Sequence, residues 1–593
     1  MEGVETARGT WLEQARKRFT PLLGPYALPL TLSWIVLSAI VALVSFVFYM
    51  TFVPGLPFEP GLTLSHWTNA FRPYVLNKVI PNTIIVGFGA TLVTLFFACP
   101  LAFLLNRTAL PFRNLFMTLI AVVVIIPGFV KTMGWIMLVN ERIGLINNAI
   151  AGLLGLDSLP FSLNNPYGIA WVMGLILTPT MFFLISGPMR ALDPALEDVA
   201  GVSGANRWWT FLRISLPLMW PGILGGAIYI FMTAISIFEV PAMLGAAGGK
   251  APVLSSELFY AVRPTVPDSM DVKYGAAGVY ATMIAAPSLV ALYFYHQVLA
   301  KAHRYGVITG KGYRPRDIEL GRFKYLGFGF IVLYLLLAVV LPMLVLTWMS
   351  FLPLIQMPSV KALSKLSLEN YRSFMEFIGG QDVMRNTAVL LFSVSLLAIF
   401  FSLMISWIVV RTRLRVRHTM DTIAMLPHAF PGLAFAFALF ILGILASVWF
   451  PSIPVSGTLG IIVLANLLNR LSYTTRITNA ALLQVTPELE ESARVCGAGD
   501  IPTMWSIIMP LVRPSLVFAG LWTALLTFRE VSMALFLTET NNVVLSVAVW
   551  ELWDSGQLGE ASAAAVVMVS AMGLLLLATL AITGGRLIHR SGF

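Results

Sequence analysis

The sequence predicts an all-α membrane protein with about twelve transmembrane helices, arranged as two parallel six-helix halves in one chain. Composition is the first reason, because 58% of the 593 residues are hydrophobic and only 11% are charged, against about 25% in soluble domains. The second reason is a series of apolar runs of roughly 20 residues, the length that crosses a bilayer. The third is an internal duplication that covers both halves.

The apolar runs are the predicted spans. Loops rich in lysine and arginine alternate with loops poor in them, and the positive-inside rule assigns the rich loops and both termini to the cytoplasm. These loops account for the net charge of +10, so the charge gives no reason to expect nucleic acid. The basic N-terminus leads into a full-length apolar run without a convincing cleavage site, which favours a first span over a signal peptide. The predicted spans are residues 27–51, 80–105, 114–139, 166–187, 218–243, 274–299, 325–350, 383–410, 420–447, 456–473, 511–537 and 559–584.

Matching motifs recur at fixed distances along the chain. Asn82-Thr83 and Asn386-Thr387 are 304 residues apart. A polar loop at 193–217 recurs at 486–510, 293 residues later, and the difference of 11 residues between the two offsets predicts a longer external loop in the first half. Repeats in the same orientation predict a pathway between the halves near the middle of the membrane. The predicted segments are a cytoplasmic tail 1–26, a first half 27–300, a cytoplasmic linker 301–324, a second half 325–585 and a cytoplasmic tail 586–593.

The repeated polar loop is predicted to be a helix–glycine–helix elbow at the membrane surface. In the first copy Pro194 suits the first turn of a helix and Gly204 suits its end. Glu197 and Asp198 lie early in that helix, where its dipole favours negative charge. Ala200 with Gly204 is expected to form a small-residue patch that another backbone can approach closely. Any cytoplasmic loop can be an amphipathic hairpin, but duplication in register favours a shared function.

The second copy has an acidic residue, two small residues and a glycine at matching positions, in Glu491-Ser492-Ala493 and Gly497, and its apolar end reaches Pro510. This pattern resembles the EAA motif in the coupling loop of ABC-importer permeases. In that family the short helix of the loop docks in a groove of the ATP-hydrolysing subunit. The first copy has Asp198-Val199-Ala200 in place of Glu-Ala-Ala. The resemblance implies a coupling role for Glu197, Asp198, Ala200, Gly204, Glu490, Glu491, Ala493 and Gly497.

The resemblance extends over nearly the whole chain and is to fused two-half permeases, of the type I importer fold, for ferric iron and thiamine. It rests on Asn82 and Asn386 before threonine, on segment 426–432, and on Gly-Lys-Gly-Tyr-Arg-Pro-Arg at 310–316. It implies a bacterial inner-membrane permease that imports ferric iron, free or chelated, by alternating access coupled to a separate ATPase dimer. Thiamine, a polyamine, a phosphonate or another small organic solute stays open as the substrate.

The chain has no nucleotide-binding motif of its own. The nearest strings, 245–251 and 306–312, lack the glycine spacing and the Ser or Thr after lysine that phosphate and Mg²⁺ require. Cys99 and Cys496 are the only cysteines, and no cluster of Cys, His or Met predicts a metal site. We expect a transport subunit without enzymatic activity or a cofactor of its own, with ATP and Mg²⁺ bound by a partner. The expected partners are two copies of a cytoplasmic ATP-binding subunit, a periplasmic or lipid-anchored solute-binding protein and the lipid bilayer, and no nucleic acid.

Charged residues inside spans are costly, which makes them candidates for function. Glu239 lies late in the fifth predicted span, and Arg529-Glu530 lies at the corresponding place in the eleventh. We expect these carboxylates near the external end of the pathway or at its gate, with Arg529 paired to a carboxylate; a structural ion pair is the alternative. His428, deep in the ninth span, either contacts the substrate or is a structural hydrogen-bond donor.

Two other classes of function stay open. An ion-coupled secondary transporter would need ionisable residues at the midplane of several spans, and this sequence has few. A membrane enzyme would need a Ser/His/Asp, His-Glu-x-x-His or paired-carboxylate arrangement at a surface, and none is evident. The duplicated polar loop favours the ATP-driven importer over both.

Overall fold

Helices account for nearly all of the regular structure, and the predicted all-α class is confirmed. Among the residues that the structure describes, the one β pairing is an isolated bridge between Thr108 and Ile318. The predicted tails and most of the predicted linker lie outside the described residues. The computed structural model describes residues 27–582, with gaps at 56, 141–143, 156–160, 191–193, 246–249, 263–272, 303–317, 355, 357, 378 and 453–454.

The first half of the sequence forms long apolar helices joined by shorter ones. These helices are α1 (Ala27–Met50), α2 (Ser65–Ala70), α3 (Ile80–Arg107), α4 (Arg113–Ile125), α5 (Gly128–Val139), α6 (Leu145–Leu154), α7 (Pro166–Arg190), α8 (Pro194–Val202), α9 (Arg207–Thr210), α10 (Leu216–Ser236), α11 (Glu239–Gly245), α12 (Leu254–Val262) and α13 (Tyr274–Ala302). Only Ile126-Pro127 separates α4 from α5, and the two helices meet at 94°. They form one broken span rather than a gently kinked one.

The second half repeats this order. A 3-10 turn at Gly321–Phe323 precedes α14 (Lys324–Leu335), which is followed by α15 (Leu341–Ser350), α16 (Val360–Leu363), α17 (Glu369–Phe377), α18 (Gly380–Arg411), α19 (Arg417–Ala429), α20 (Gly432–Trp449), α21 (Leu459–Leu483), α22 (Glu488–Val495), α23 (Asp500–Thr503), α24 (Met509–Phe528), α25 (Ser532–Leu537), α26 (Leu545–Asp554) and α27 (Leu558–Ile582). Phe430-Pro431 separates α19 from α20, at the place that matches the break between α4 and α5.

The helix boundaries preserve the duplication seen in the sequence. Helices α4 and α19 begin and end 304 residues apart, whereas α7 and α21 begin and end 293 residues apart. The change in offset therefore falls between α5 and α7, where the first half has the additional helix α6. The longer connection predicted for the first half is confirmed.

Fewer helices are long and apolar enough to span a membrane than the twelve that the sequence predicted. Among the described residues nine helices are long and apolar enough, or ten with the broken pair α4 and α5. The two remaining predicted spans are α13 and α21. In α13 the described apolar part covers only Tyr274–Val290. In α21 the polar side chains Asn466 and Arg470 are buried within the protein, so low hydropathy there reflects internal packing.

Four widened helical turns share one cause. Each π-helical segment ends two residues before a proline, namely Pro81, Pro217, Pro342 and Pro510. A proline inside a helix has no N–H to donate, and its ring clashes with the carbonyl four residues earlier. A π turn widens the backbone at that point. The segments are Val75–Val79, Phe211–Ser215, Leu336–Val340 and Met504–Ile508.

The described chain packs as two compact units that do not follow the sequence halves. The larger has an apolar core that includes the buried Phe97, Phe182 and Tyr334. The smaller is built around Leu482 and Ile508. Both combine segments from both halves. The smaller unit comprises the described residues of Met1–Ser45, Leu390–His428 and Val463–Thr527, and the larger those of Phe46–Val389, Ala429–Ile462 and Phe528–Phe593.

The repeated Asn-Thr pairs anchor the start of a buried helix in each half. Thr83 Oγ1 accepts a hydrogen bond from the Leu254 N–H at 3.0 Å, at the start of α12. Thr387 Oγ1 accepts from the Leu545 N–H at 2.9 Å, at the start of α26. The preceding asparagines donate to backbone carbonyls two residues before these leucines, at 3.0 and 3.1 Å. Side chains of α3 and α18 thus satisfy backbone N–H and C=O groups at the starts of α12 and α26, which have no partner within those helices.

Replacing either threonine by valine should destabilise the protein. Thr83→Val and Thr387→Val remove the acceptor of a buried N–H, and an unsatisfied buried donor costs about 1–3 kcal/mol. The apparent unfolding temperature in mild detergent measures the loss. Thr118→Val and Thr422→Val are the controls, since these two threonines bond only a carbonyl of their own exposed helical turn. Equal effects of test and control variants would contradict the anchoring role.

Candidate coupling and pathway sites

The predicted elbow is present in both halves with the same backbone geometry. Gly204 and Gly497 have φ angles of +85° and +82°, the left-handed region in which a Cβ is strained. The N–H of the following alanine donates to the carbonyl five residues earlier, at 3.0 Å in the first elbow and 2.9 Å in the second. This is the Schellman arrangement that ends many helices. The prediction that these glycines end the first helix of each elbow is confirmed.

The small-residue patch expected on the elbow surface is contradicted for its alanines. Ala200 and Ala493 are 7% and 8% exposed. Their carbonyls accept the hydrogen bonds that close the two glycine turns. Gly204 and Gly497 themselves are exposed.

Each elbow also exposes apolar residues. Val202 and Val495 are 91% and 89% exposed and lie 293 residues apart. Leu196 and Leu489, at the same spacing, are 37% and 42% exposed. Exposed apolar residues repeated at matching positions indicate a surface for a partner. The sequence analysis missed these residues, although their register was visible in it.

The acidic residues of the second elbow separate into two kinds. Glu491 is exposed. Glu490 is paired within the chain, with 2.9 Å between its Oε1 and Arg411 Nε, and the two side chains are only 12% and 9% exposed. The sequence grouped Glu490 with residues that contact a partner, whereas the structure places it in an internal ion pair. Of the first elbow, the side chains of Glu197 and Asp198 lie outside the described residues.

The same guanidinium joins three helices of the smaller unit. Arg411 is the last residue of α18. Its Nη2 donates to the carbonyls of Leu482 and Val485, both at 2.7 Å, at the end of α21. Its Nε pairs with Glu490 in α22. The start of the elbow is thereby tied to the ends of two long helices, so a displacement of the elbow acts directly on both.

A second charged site lies in the larger unit, at the break between α4 and α5. Lys131, which is 2% exposed, donates from Nζ to the carbonyl of Val123 at 3.0 Å. Arg529 donates from Nη1 to the carbonyl of Val124 at 2.7 Å. Both carbonyls belong to the last turn of α4, which the break leaves without helical partners. The two cations cap this helix end, where the helix dipole favours positive charge.

Two carboxylates complete the site. Glu239 Oε2 accepts a hydrogen bond from the Ser532 hydroxyl at 3.0 Å, and Glu530 Oε1 accepts from the Met533 N–H at 3.0 Å. Glu239 is close enough to Glu530 and Arg529 for their charges to act on it. Glu239 and Glu530 are both partly exposed. We call Lys131, Glu239, Arg529 and Glu530 the break cluster.

The break cluster is only partly symmetric between the halves. Glu239 and Glu530 are approximate counterparts, because both lie at the junction of a long helix and the short helix after it: Glu239 begins α11, and Glu530 lies two residues before α25. Lys131 is not repeated, since it corresponds to Phe435, 304 residues on. Three members of the cluster were candidates from the sequence, and Lys131 was missed.

His428 lies in the smaller unit, whereas the break cluster lies in the larger one. It is half-buried near the end of α19, and its ring meets Tyr473 edge-on with centroids 5.2 Å apart. This contact gives the histidine a packing role. Its predicted contact with substrate stays a prediction.

Comparison with known proteins agrees with the two-half organisation. The model of the family described as binding-protein-dependent transport system inner membrane component matches residues 95–305 and again residues 398–585. The chain belongs to this family. It is therefore an inner-membrane transport permease, and its predicted duplication is confirmed. Each match includes one elbow and one of the two glutamates of the break cluster.

Relatives of this permease align along most of its length. The ferric transport system permease protein FbpB of Actinobacillus pleuropneumoniae is 24% identical over 519 residues, which cover 85% of this chain and 71% of the relative. The Fe(3+)-transport system permease protein FbpB 2 of Haemophilus influenzae is 22% identical over 520 residues, covering 87% and 92%. The spermidine/putrescine transport system permease protein PotB of the same species is 28% identical over 188 residues, covering 31% and 64%.

Among solved structures, a bacterial ABC transporter involved in the import of the acidic polysaccharide alginate matches 50% of this chain and 99% of its own. The TM-score is 0.37 and the sequence identity 20%.

A double-mutant cycle should reveal strong coupling between Arg411 and Glu490. Removing one partner of a buried pair leaves the other charge unpaired and costs roughly 3–5 kcal/mol. The free energy of unfolding lost in the double variant should therefore be smaller than the sum of the losses in Arg411→Ala and Glu490→Ala. Unfolding in mild detergent measures the coupling. The control is Arg385 with Asp382, a pair at 3.0 Å whose side chains are 70% and 69% exposed and should couple by less than about 1 kcal/mol. Similar coupling energies in both cycles would contradict a stabilising role for the Arg411–Glu490 ion pair.

Proposed function

We propose that this permease is the membrane subunit of an ATP-driven importer and that its two elbows dock two copies of a separate cytoplasmic ATP-binding subunit. The matched elbow surfaces carry the proposal, because both expose the same apolar positions beside a glycine of the same conformation. A surface repeated within one chain fits two copies of one partner. That partner binds ATP and Mg²⁺, and this chain holds no cofactor of its own.

The elbows and both termini face the cytoplasm in this proposal. The positive-inside rule supports the orientation, since arginine and lysine concentrate in the loops on that side. The opposite face receives the substrate from a solute-binding protein, periplasmic or lipid-anchored. Substrate selection then rests mainly on that protein, and this chain supplies the route and its gating.

The substrate of the proposed importer is ferric iron, free or chelated. The supporting observation is coverage, because the relatives named for ferric transport align along 85–87% of this chain. The relative named for spermidine and putrescine aligns along 31%. A polyamine is the second candidate, on the ground that this shorter match has the higher identity of 28%.

Movement of the second elbow would reach the spans through Arg411. This side chain holds the elbow helix and the ends of α18 and α21 at one point. A rigid junction of this kind converts a docking event at the surface into a rotation of two spans, as alternating access requires. Glu490 is then a positioning residue, and Glu491 is the acid that faces the partner.

The break cluster lies on the substrate pathway or its gate in this proposal. Its support is the set of contacts that one half makes to the other. Arg529 and Ser532 of the second half bond Val124 and Glu239 of the first. Separation of the halves at this place must break both hydrogen bonds. A gate needs contacts that form in one state and open in another.

Reversing the charge of Glu491 should uncouple the permease from its motor. We expect Glu491→Arg to reduce co-purification of the ATP-binding subunit at least tenfold, which corresponds to about 1.4 kcal/mol, and to abolish uptake of labelled ferric iron. Glu376→Arg, a reversal at a glutamate that is 69% exposed, should leave both unchanged. Uptake of labelled spermidine without uptake of labelled ferric iron would identify the polyamine as the substrate.

The native Cys496 provides an independent readout of the same docking. Cys496 is exposed and directly follows α22, the first helix of the second elbow. Cys99 is the other cysteine of the chain. In a Cys99→Ser background, an impermeant maleimide should label Cys496 from the cytoplasmic side only, and bound ATP-binding subunit should protect it unless Glu491→Arg is present. Labelling from the outer face would overturn the orientation.

Neutralising the break-cluster carboxylates should change transport without releasing the motor. We expect Glu239→Gln and Glu530→Gln to lower ferric uptake about tenfold or more, because each removes a carboxylate charge from the break cluster, while co-purification of the ATP-binding subunit stays normal. Glu539→Gln serves as the matched control, since Glu539 bonds Ser456 away from the break. Unchanged uptake in both test variants would show that the break cluster has only a structural role.

A further inference from the structure

A pocket outside the elbows and the break cluster lies where the linker meets α4. Its volume is about 520 Å³, and it is a depression open to the surface rather than an enclosed cavity. It is lined by Ala109, Leu110, Pro111, Phe112, Arg113, Asn114 and Lys324. Two cations and a side-chain amide therefore share one pocket with apolar residues.

The two walls of the pocket are held together by backbone pairing. The Ile318 N–H donates to the Arg107 carbonyl at 2.8 Å, and the Ala109 N–H donates to the Ile318 carbonyl at 3.1 Å. A short turn at Gly321–Phe323 then brings the chain to Lys324. Because these bonds fix the linker against the end of α3, Arg113 and Lys324 are presented together although they are 211 residues apart.

An apolar surface adjoins the charged pocket. Phe112 at its edge is 68% exposed, and Leu115 in the first turn of α4 is 54% exposed. On the other wall Phe323 and Leu326 are each 72% exposed. Helices α4 and α14 both begin predicted spans here, so these side chains lie where the headgroup region of the bilayer meets its hydrocarbon. A polar anionic head above apolar chains fits such a surface.

We propose that this pocket binds the headgroup of an anionic phospholipid, with its phosphodiester held by Lys324 and Arg113. An ammonium and a guanidinium both donate charge-assisted hydrogen bonds to phosphate oxygens, and the Asn114 amide adds a neutral donor. Basic pockets between membrane helices bind anionic headgroups in this manner. The acyl chains lie along the exposed apolar side chains of α4 and α14. The site does not depend on the proposed transport function.

The second half supplies a control cation for this pocket. Arg417 corresponds to Arg113, 304 residues on, and its Nη1 donates to the carbonyl of Thr412 at 3.0 Å. Arg415, two residues before Arg417, is exposed and does not line the pocket at Lys324.

Native mass spectrometry of the purified full-length chain tests the proposal with phosphatidylglycerol and phosphatidylcholine of identical acyl chains. We expect phosphatidylglycerol to bind at least fivefold more tightly. Lys324→Ala should reduce that binding about fivefold, as expected for one basic residue near a membrane surface, and addition of Arg113→Ala should bring it to the phosphatidylcholine level. Lys324→Arg should retain most of it, and Arg415→Ala all of it.

Three results would overturn the proposal. Equal binding of the two lipids would remove the preference for an anionic headgroup. A loss in Arg415→Ala equal to that in Lys324→Ala would show general attraction to a basic surface. Displacement of phosphatidylglycerol by an equal concentration of inorganic phosphate would show a site for a small anion rather than a lipid. Melting temperatures of the variants, measured on the same samples, establish that each one is folded.

Discussion

Backbone hydrogen bonding inside an apolar medium is the constraint on which this structure depends. A bilayer offers no water to satisfy a broken helix, so any departure from helical geometry must find partners within the protein. The break at Ile126-Pro127 frees the carbonyls of Val123 and Val124, and the buried Lys131 and the partly buried Arg529 bond them. The Asn-Thr pairs do the same for the starts of α12 and α26. Polar residues in the spans are therefore placed by the breaks that they satisfy.

The same reasoning explains which features the sequence could predict. Glycine acts locally, so the helix end at Gly204 followed from sequence. The burial of Ala200 did not, because it depends on what packs against its side chain in the fold. The end of the tenth span was also misplaced: the sequence ended it at residue 473, whereas α21 continues to Leu483 with buried polar side chains. Lys131 was overlooked because its partner is a backbone carbonyl, which carries no sequence signal.

Side-chain direction decides the different fates of two adjacent acids in the second elbow. Neighbouring residues in an α-helix point roughly 100° apart, so Glu490 turns inward to Arg411 while Glu491 stays exposed. A run of acidic residues in sequence cannot separate these roles without the position of the helix. Arg411 marks the inward side of that helix, because its guanidinium also bonds the carbonyl of Leu482 in the last turn of α21 and that of Val485 just after it.

In the proposed importer, divergence between the halves would follow the number of molecules that each site meets. The elbows keep the same glycine geometry and the same exposed valines, as expected if each contacts one of two identical partners. In the break cluster Lys131 is not repeated, since Phe435 stands at its position 304 residues on. If the cluster lies on the pathway as proposed, a single substrate meets both halves there at once, and two equal copies of the site give no advantage. Symmetry would then be retained where partners are paired and lost where the substrate is single.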